Sequence, residues 1–290
     1  MIRQENQLLE RPIIIVGTPR SGTTFLGNVL KHHPSLAYVN EPRLTWRYGN
    51  DHKSDRLDPD DARPEVCEHI RSVFAEAVRT AGRHRLLEKT PSNTLRLGFV
   101  ERVLPGCQFI HILRDGVESV LSIRRFWEQH AVGIKPRVVG QRLREVSWRR
   151  IPYYFKEVLR RSLPKRFSSL TGQPVWGPRI PGIDGLLRDL DLLEVCCIQW
   201  RMCVEAACQF GRRLPEHRYM ECRLEEMSPE LLQSVLQFAE LDESEEVGKA
   251  FEQLFNPTLP GGRRGNADPE EIDRIRQSIE PTLKWLGYEA

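Results

Sequence analysis

From Ile13 to Thr24 the chain reads Ile-Ile-Ile-Val-Gly-Thr-Pro-Arg-Ser-Gly-Thr-Thr, an apolar run leading through two glycines into helix-compatible residues. A buried strand, a glycine-bounded loop and a helix start, in that order, wrap backbone N–H groups around a phosphate. Gly17 and Gly22 keep the spacing of the nucleoside-triphosphate loop G-x-x-x-x-G-K-[ST], with Thr24 at its last position. Thr23 stands where that loop has its lysine, and a cation appears three residues earlier as Arg20. A triphosphatase uses the lysine to reach its outer phosphates. The loop therefore suits a different phosphate-containing donor, with Gly17, Arg20, Ser21, Gly22, Thr23 and Thr24 as candidate binding residues. A strand–turn–helix without a ligand is the plain alternative.

The Pro19-Arg20-Ser21-Gly22-Thr23-Thr24 segment resembles the 5′-phosphosulfate loop of sulfotransferases that use 3′-phosphoadenosine 5′-phosphosulfate (PAPS). It is closest to the P-R-S-G-T-T form of tyrosylprotein and many bacterial members; cytosolic steroid and phenol enzymes usually have lysine at the Arg20 position. The run Cys107–Leu113 ends in Arg114-Asp115, with Ser119 and Ser122 behind it, similar to the family's strand-R-D-x-x-x-S-x-x-S segment. That resemblance assigns Arg114 and Ser122 to the donor's 3′-phosphate. A guanidinium fork suits a phosphate dianion, and a hydroxyl farther along the helix adds a donor. Pairing of Arg114 with Asp115 is the structural alternative.

Glu41 follows Arg20 by 21 residues and has Arg43 close by, which resembles tyrosylprotein-type members. The resemblance makes Glu41 the base that takes the acceptor's proton and places Arg43 near the substrate. A base of this kind works best with its pKa raised by burial; an ion pair with Arg43 is the alternative. Lys89, in Glu88-Lys89-Thr90-Pro91, falls where the family has a lysine near the donor's bridging oxygen. There it would share with Arg20 the charge that develops on the leaving phosphate; otherwise it is a surface lysine beside a turn. The loop 261–266 resembles, more loosely, a glycine-and-basic loop over the same phosphate, which adds Arg263 and Arg264. PAPS is thus the expected co-substrate. No metal is expected, because side chains supply the positive charge and no sequence cluster has metal spacing.

These residues need strands to carry them. Strand-like runs occur at Ile13–Val16, Leu36–Val39, Leu86–Glu88, Cys107–Leu113 and near His217–Glu221, and helical patterns separate most of them. Helices are predicted from about Ser21 to His33, over Pro64 to Thr80 with Val66, Ile70, Val73, Phe74 and Ala77 on one face, and from about Gly185 to Phe210. Ser228-Pro229 and Asp268-Pro269 open two more, the latter with Pro281 inside it and Gly287 at its end. The alternation predicts an α/β fold, a P-loop-NTPase-like parallel sheet with helices on both faces, and ligands outside the carboxyl ends of its strands. The six prolines between about His130 and Asp184, with an exposed turn at Trp176-Gly177-Pro178, read as a helical insertion at 130–184. That insertion would serve as a lid or acceptor-binding surface within a single sulfotransferase domain, 1–290.

Composition sets the remaining bounds. The 290-residue chain is 40% hydrophobic and 29% charged, as soluble globular proteins are. It has no run near the roughly 18 apolar residues of a membrane span, and its polar first twelve residues do not read as a secretory leader. Seven cysteines without a C-x-x-C pair suit a reducing compartment, and the cytoplasm is the expected location. Between Lys135 and Arg166, eleven lysines and arginines face two glutamates, although the whole chain carries only +3. Such a stripe can contact a membrane surface, while nucleic acid is disfavoured. The rival readings are a P-loop small-molecule kinase and a basic-surface protein that binds nucleic acid or membrane. A hydroxyl or amine acceptor is expected; its identity and the oligomeric state are not legible.

Overall fold

Branched apolar residues favour extended backbone, and Ile13–Val16, all fully buried, form the central strand β1. The computed structural model describes residues 7–130, 175–256 and 267–288. Strands β2 (Leu36–Asn40), β3 (Arg85–Lys89), β4 (Gln108–Leu113) and β5 (Tyr219–Arg223) join it in a sheet of order β2-β3-β1-β4-β5. Every neighbouring pair is parallel, with Asn40 and Ile15 both in register with Lys89, and His111 in register with Glu221. The chain leaves β1 toward one edge and, after β3, crosses it toward the other. This reversal opens a crevice at the carboxyl end of β1.

Ten helices are labelled: α1 (Thr23–Leu30), α2 (Arg43–Trp46), α3 (Pro64–Thr80), α4 (Leu97–Val103) and α5 (Gly116–His130), then α6 (Ile183–Asp189), α7 (Leu192–Gly211), α8 (Pro229–Phe238), α9 (Glu245–Leu254) and α10 (Pro269–Trp285). Side chains alternate across β1. Ile14 and Val16 join a core built from α3 and α4; Ile13 and Ile15 join one built from α1, α8 and α9. A third core, around Trp200, ties α5, α6, α7 and α10 together. The expected parallel sheet covered on both faces is therefore present.

Four details differ from expectation. The helix predicted from Gly185 to Phe210 is two helices, because Asp191 starts a new one by accepting from the Glu194 amide in a capping box. The last strand begins at Tyr219, since residues 216–218 form a single 3₁₀ turn. Val73 is 38% exposed, and Ala75 and Val78 are buried on α3 instead. The Trp176–Pro178 turn forms but is covered: the Gln199 amide donates to the carbonyls of Trp176 (3.1 Å) and Pro178 (2.8 Å). Most of the expected insertion at 130–184, with its basic stripe 135–166, lies outside the described residues, as do Arg263 and Arg264. No described helix is long and apolar enough to cross a membrane.

Candidate functional site

Four loops leave the carboxyl edge of the sheet, and the sequence-derived candidates within the described residues lie on them or on the helices they open. The loop after β1 is tight. A Cβ on Gly17 would meet Ser21 Oγ at 2.4 Å and the Ile112 carbonyl at 2.6 Å, so no larger residue fits without moving backbone. Gly22 takes φ +100°, and a Cβ there would lie 2.6 Å from Leu224 Cδ1, just past β5. Arg20 adopts φ +72°, a left-handed conformation that a non-glycine residue holds only when its surroundings impose it. The Ser21 hydroxyl is buried without a hydrogen-bond partner. An orphaned donor beside glycines at a helix start is a cradle that fits a phosphate.

The loop after β4 touches this one. Arg114, buried, donates from Nη1 to the Arg20 carbonyl (3.0 Å) and from Nη2 to Glu118 Oε2 (3.1 Å). Arg20 donates from Nε to Ser122 Oγ (3.1 Å), with its guanidinium carbon 5.1 Å from the Phe126 ring centre. The two cations and Ser122 thus belong to one assembly. The alternative pairing of Arg114 with Asp115 is replaced: Asp115 accepts from the Glu118 amide (2.9 Å), and Glu118 takes the guanidinium. Glu118 was not among the sequence candidates, although its i,i+4 spacing from Arg114 at a helix start was a readable signal.

The loops after β2 and β3 carry the remaining candidates. The Glu41 amide donates to the Lys89 carbonyl (2.8 Å), which continues the β2–β3 ladder by one residue. Lys89 is only 1% exposed, so it is not the surface lysine of the alternative reading. Its Nζ donates to Glu41 Oε1 (2.8 Å) and to Thr24 Oγ1 (3.1 Å), linking β3 to α1. Arg43 Nη2 donates to Glu41 Oε2 at 2.7 Å, so that ion pair is formed. Glu41 has φ +51°. The expectation that burial raises its pKa is corrected: burial pushes upward, but the charges and hydrogen bonds of Arg43 and Lys89 hold the carboxyl below its ordinary value.

A cluster that the sequence did not reveal lies between β4, β5 and α7. His111, Cys208 and Glu221 each bring one potential metal ligand within 4.8 Å of the others. Other contacts already serve them. Arg212 binds both Glu221 oxygens at 2.9 Å, and the Tyr219 hydroxyl lies 2.8 Å from Glu221 Oε1 and 2.7 Å from His111 Nδ1. Burial pushes the Cys208 thiol up to about 12 and the His111 imidazole down to about 4. With Arg212 on both Glu221 oxygens and Tyr219 bridging Glu221 and His111, the three belong to one hydrogen-bonded core network. His111 is internal, as expected.

Comparison with known proteins places residues 12–168 under a family model described as "Sulfotransferase family". The chain is 28% identical over 129 residues to nodulation protein NoeE of Sinorhizobium fredii, an alignment covering 39% of the chain and 31% of NoeE. It is 29% identical over 127 residues to human protein-tyrosine sulfotransferase 1, covering 39% of the chain and 34% of that enzyme. The chain thus spans about a third of the length of these relatives. In three dimensions it resembles the sulfotransferase domain from the curacin biosynthetic pathway, with TM-score 0.56, 14% identity and coverage of 97% and 98%. At that identity the likeness speaks for the fold.

Proposed function

Because this chain belongs to the sulfotransferase family, we propose that it moves a sulfuryl group from PAPS to an acceptor hydroxyl or amine. The observation that carries this reading is the joining of two anion-binding loops at adjacent strands, with Arg114 bonded to the Arg20 backbone and Arg20 to Ser122. One loop alone suits any phosphate. Two suit a ligand with separate 5′ and 3′ groups, and the 3′-phosphate is what distinguishes PAPS from ATP. Thr23 at the kinase lysine position counts against the kinase reading.

Gly17, Ser21, Gly22, Thr23 and Thr24 would hold the 5′-phosphosulfate, and Arg114 and Ser122 the 3′-phosphate, with Arg263 and Arg264 as further candidates. Glu41 accepts the acceptor's proton as the new S–O bond forms and the bond from sulfur to the 5′-phosphate oxygen breaks. Lys89 and Arg20 stabilise the charge left on that oxygen. Lys89 turned toward a bound anion would weaken its hold on Glu41, which restores basicity when the base is needed. Arg43 lies beside the acceptor. The protein-tyrosine relative favours a hydroxyl, and the stretch 130–184 is the proposed source of acceptor choice. Seven cysteines, none in a disulfide, suit the cytoplasm.

The test is calorimetric titration with adenosine 3′,5′-bisphosphate (PAP), AMP, and ATP with magnesium. PAP should bind tightest. Equal affinity for PAP and AMP would end the assignment. Labelled PAPS offered to a tyrosyl peptide, simple phenols and sugars then identifies the acceptor.

A further inference from the structure

Behind the loops that carry Glu41 and Lys89, β3 turns a second carboxylate the other way. Side chains alternate along a strand: Lys89 reaches Glu41 and α1, while its neighbour Glu88 enters the core with 0% exposure. Glu88 Oε1 accepts from Trp46 Nε1 (2.9 Å) and from the Thr90 hydroxyl, and Oε2 accepts from Asn93 Nδ2 (3.0 Å). The donors come from both arms of the site. Trp46 closes α2, the short helix that opens with Arg43 just beyond Glu41. Thr90 and Asn93 belong to the turn that leaves Lys89.

We infer that Glu88 is a positioning residue: its carboxylate pins α2, and with it Arg43 and Glu41, against the turn that follows Lys89. The inference rests on the sulfotransferase reading and assigns a role to a group that sulfuryl transfer does not itself engage. A buried carboxylate is costly unless hydrogen-bonded, and here the bonds bridge the two arms. Trp46 is fixed for the purpose, its ring centre 5.1 Å from Phe74 and 6.4 Å from Phe99. Asn93 is held in turn by Arg96 Nε at 2.9 Å. Trp46 Nε1 and Asn93 Nδ2 can only donate, one to each oxygen, so the ionised form satisfies both, while the Thr90 hydroxyl can donate or accept. Burial pushes its pKa up to about 7, against the pull of Thr90, Trp46, Arg96 and Lys89.

The test compares E88Q, W46F and the double variant with wild type. PAP is the binding probe. Turnover is the conversion of PAPS to PAP with 4-nitrophenol, or with water if that phenol is refused. W46F keeps the aromatic packing and removes the indole N–H. Each single variant should lower kcat by roughly 10- to 100-fold, as expected for one bond to a buried charge. PAP affinity should stay within about twofold, the split expected of a change confined to the reacting arm. The double variant should lose less than the product of the two single losses, because the Trp46 bond is charge-assisted only while residue 88 is a carboxylate. Wild-type kcat should also fall on the acid side around pH 7, and E88Q should lack that limb. Unchanged kcat in E88Q, PAP affinity falling in step with kcat, or multiplied effects in the double variant would each overturn the role. Failure of wild type to bind PAP would overturn the sulfotransferase reading and this role together. Normal PAP binding with an unaffected E88Q would overturn the role of Glu88 alone.

Discussion

The loops after β1 and β4 and the loops after β2 and β3 leave the same edge of one sheet, yet they hold charge differently. In the first pair, Arg20 and Arg114 lean on a carbonyl, a hydroxyl and one buried carboxylate, Glu118. In the second pair, Glu41 is clasped between two cations and held below its ordinary pKa. On the proposed reading the first pair takes the donor's phosphates, while the second, the reacting pair, sits neutralised until an anion competes for Lys89. Binding and chemistry are assigned to different strands, and substitutions should separate them.

The largest expected separation is at Glu41. E41Q should lower turnover by roughly 10²- to 10⁴-fold, the usual weight of a general base, with PAP affinity retained in calorimetry. Wild-type turnover in E41Q would dissolve the contrast. On the other side, R114A should abolish the preference for PAP over AMP. It also breaks the buried Arg114–Glu118 ion pair, and removing one partner of such a pair costs about 3–5 kcal/mol of stability. The double variant R114A/E118A should regain much of that stability in thermal melts while still failing to prefer PAP. Recovery of PAP binding in it would remove Arg114 from the 3′-phosphate site.

A smaller effect is expected at Gly17, where alanine would crowd Ser21 and the Ile112 carbonyl. G17A should lose about 1–3 kcal/mol, typical of overpacking, and PAP affinity should fall with it. The smallest effect sharpens the contrast through pH. His111 of β4 is pushed down to about 4, so its stabilising contribution is full above 6.5 and lost as pH falls through 4. Glu88 of β3 is pushed up to about 7, so stability is instead lost as pH rises from 4.5 toward 7. The two slopes oppose each other. Relative to wild type, the melting temperature of H111F should fall, and that of E88Q should rise, as pH climbs between 4.5 and 6.5. The same slope in both variants would contradict the assignment.

Much of the frame could be read from residue order. The Ile13–Val16 run gave a strand, and Pro64 at a first helical turn fixed α3 at its observed start. Misreadings had local causes. Asp191 and Glu194 carry a readable capping box, but the apolar pattern runs across it and suggests one helix. The candidates Arg20, Glu41, Lys89, Arg114 and Ser122 do converge, because each follows or lies close to the end of a parallel strand. What stayed hidden depends on register and burial. That Lys89 meets Glu41 requires the Asn40–Lys89 pairing, and the sign of the Glu41 shift depends on the two cations outweighing burial.

Leu224 stands directly behind Gly22, and β5 borders β4, although both come some two hundred residues after the glycine loop. The stretch that matches the family model ends at residue 168, well before either of them. That stretch is therefore not a transplantable cassette. Spliced into another protein, it would lack the back wall of its own glycine loop and carry an open sheet margin prone to pairing with strangers.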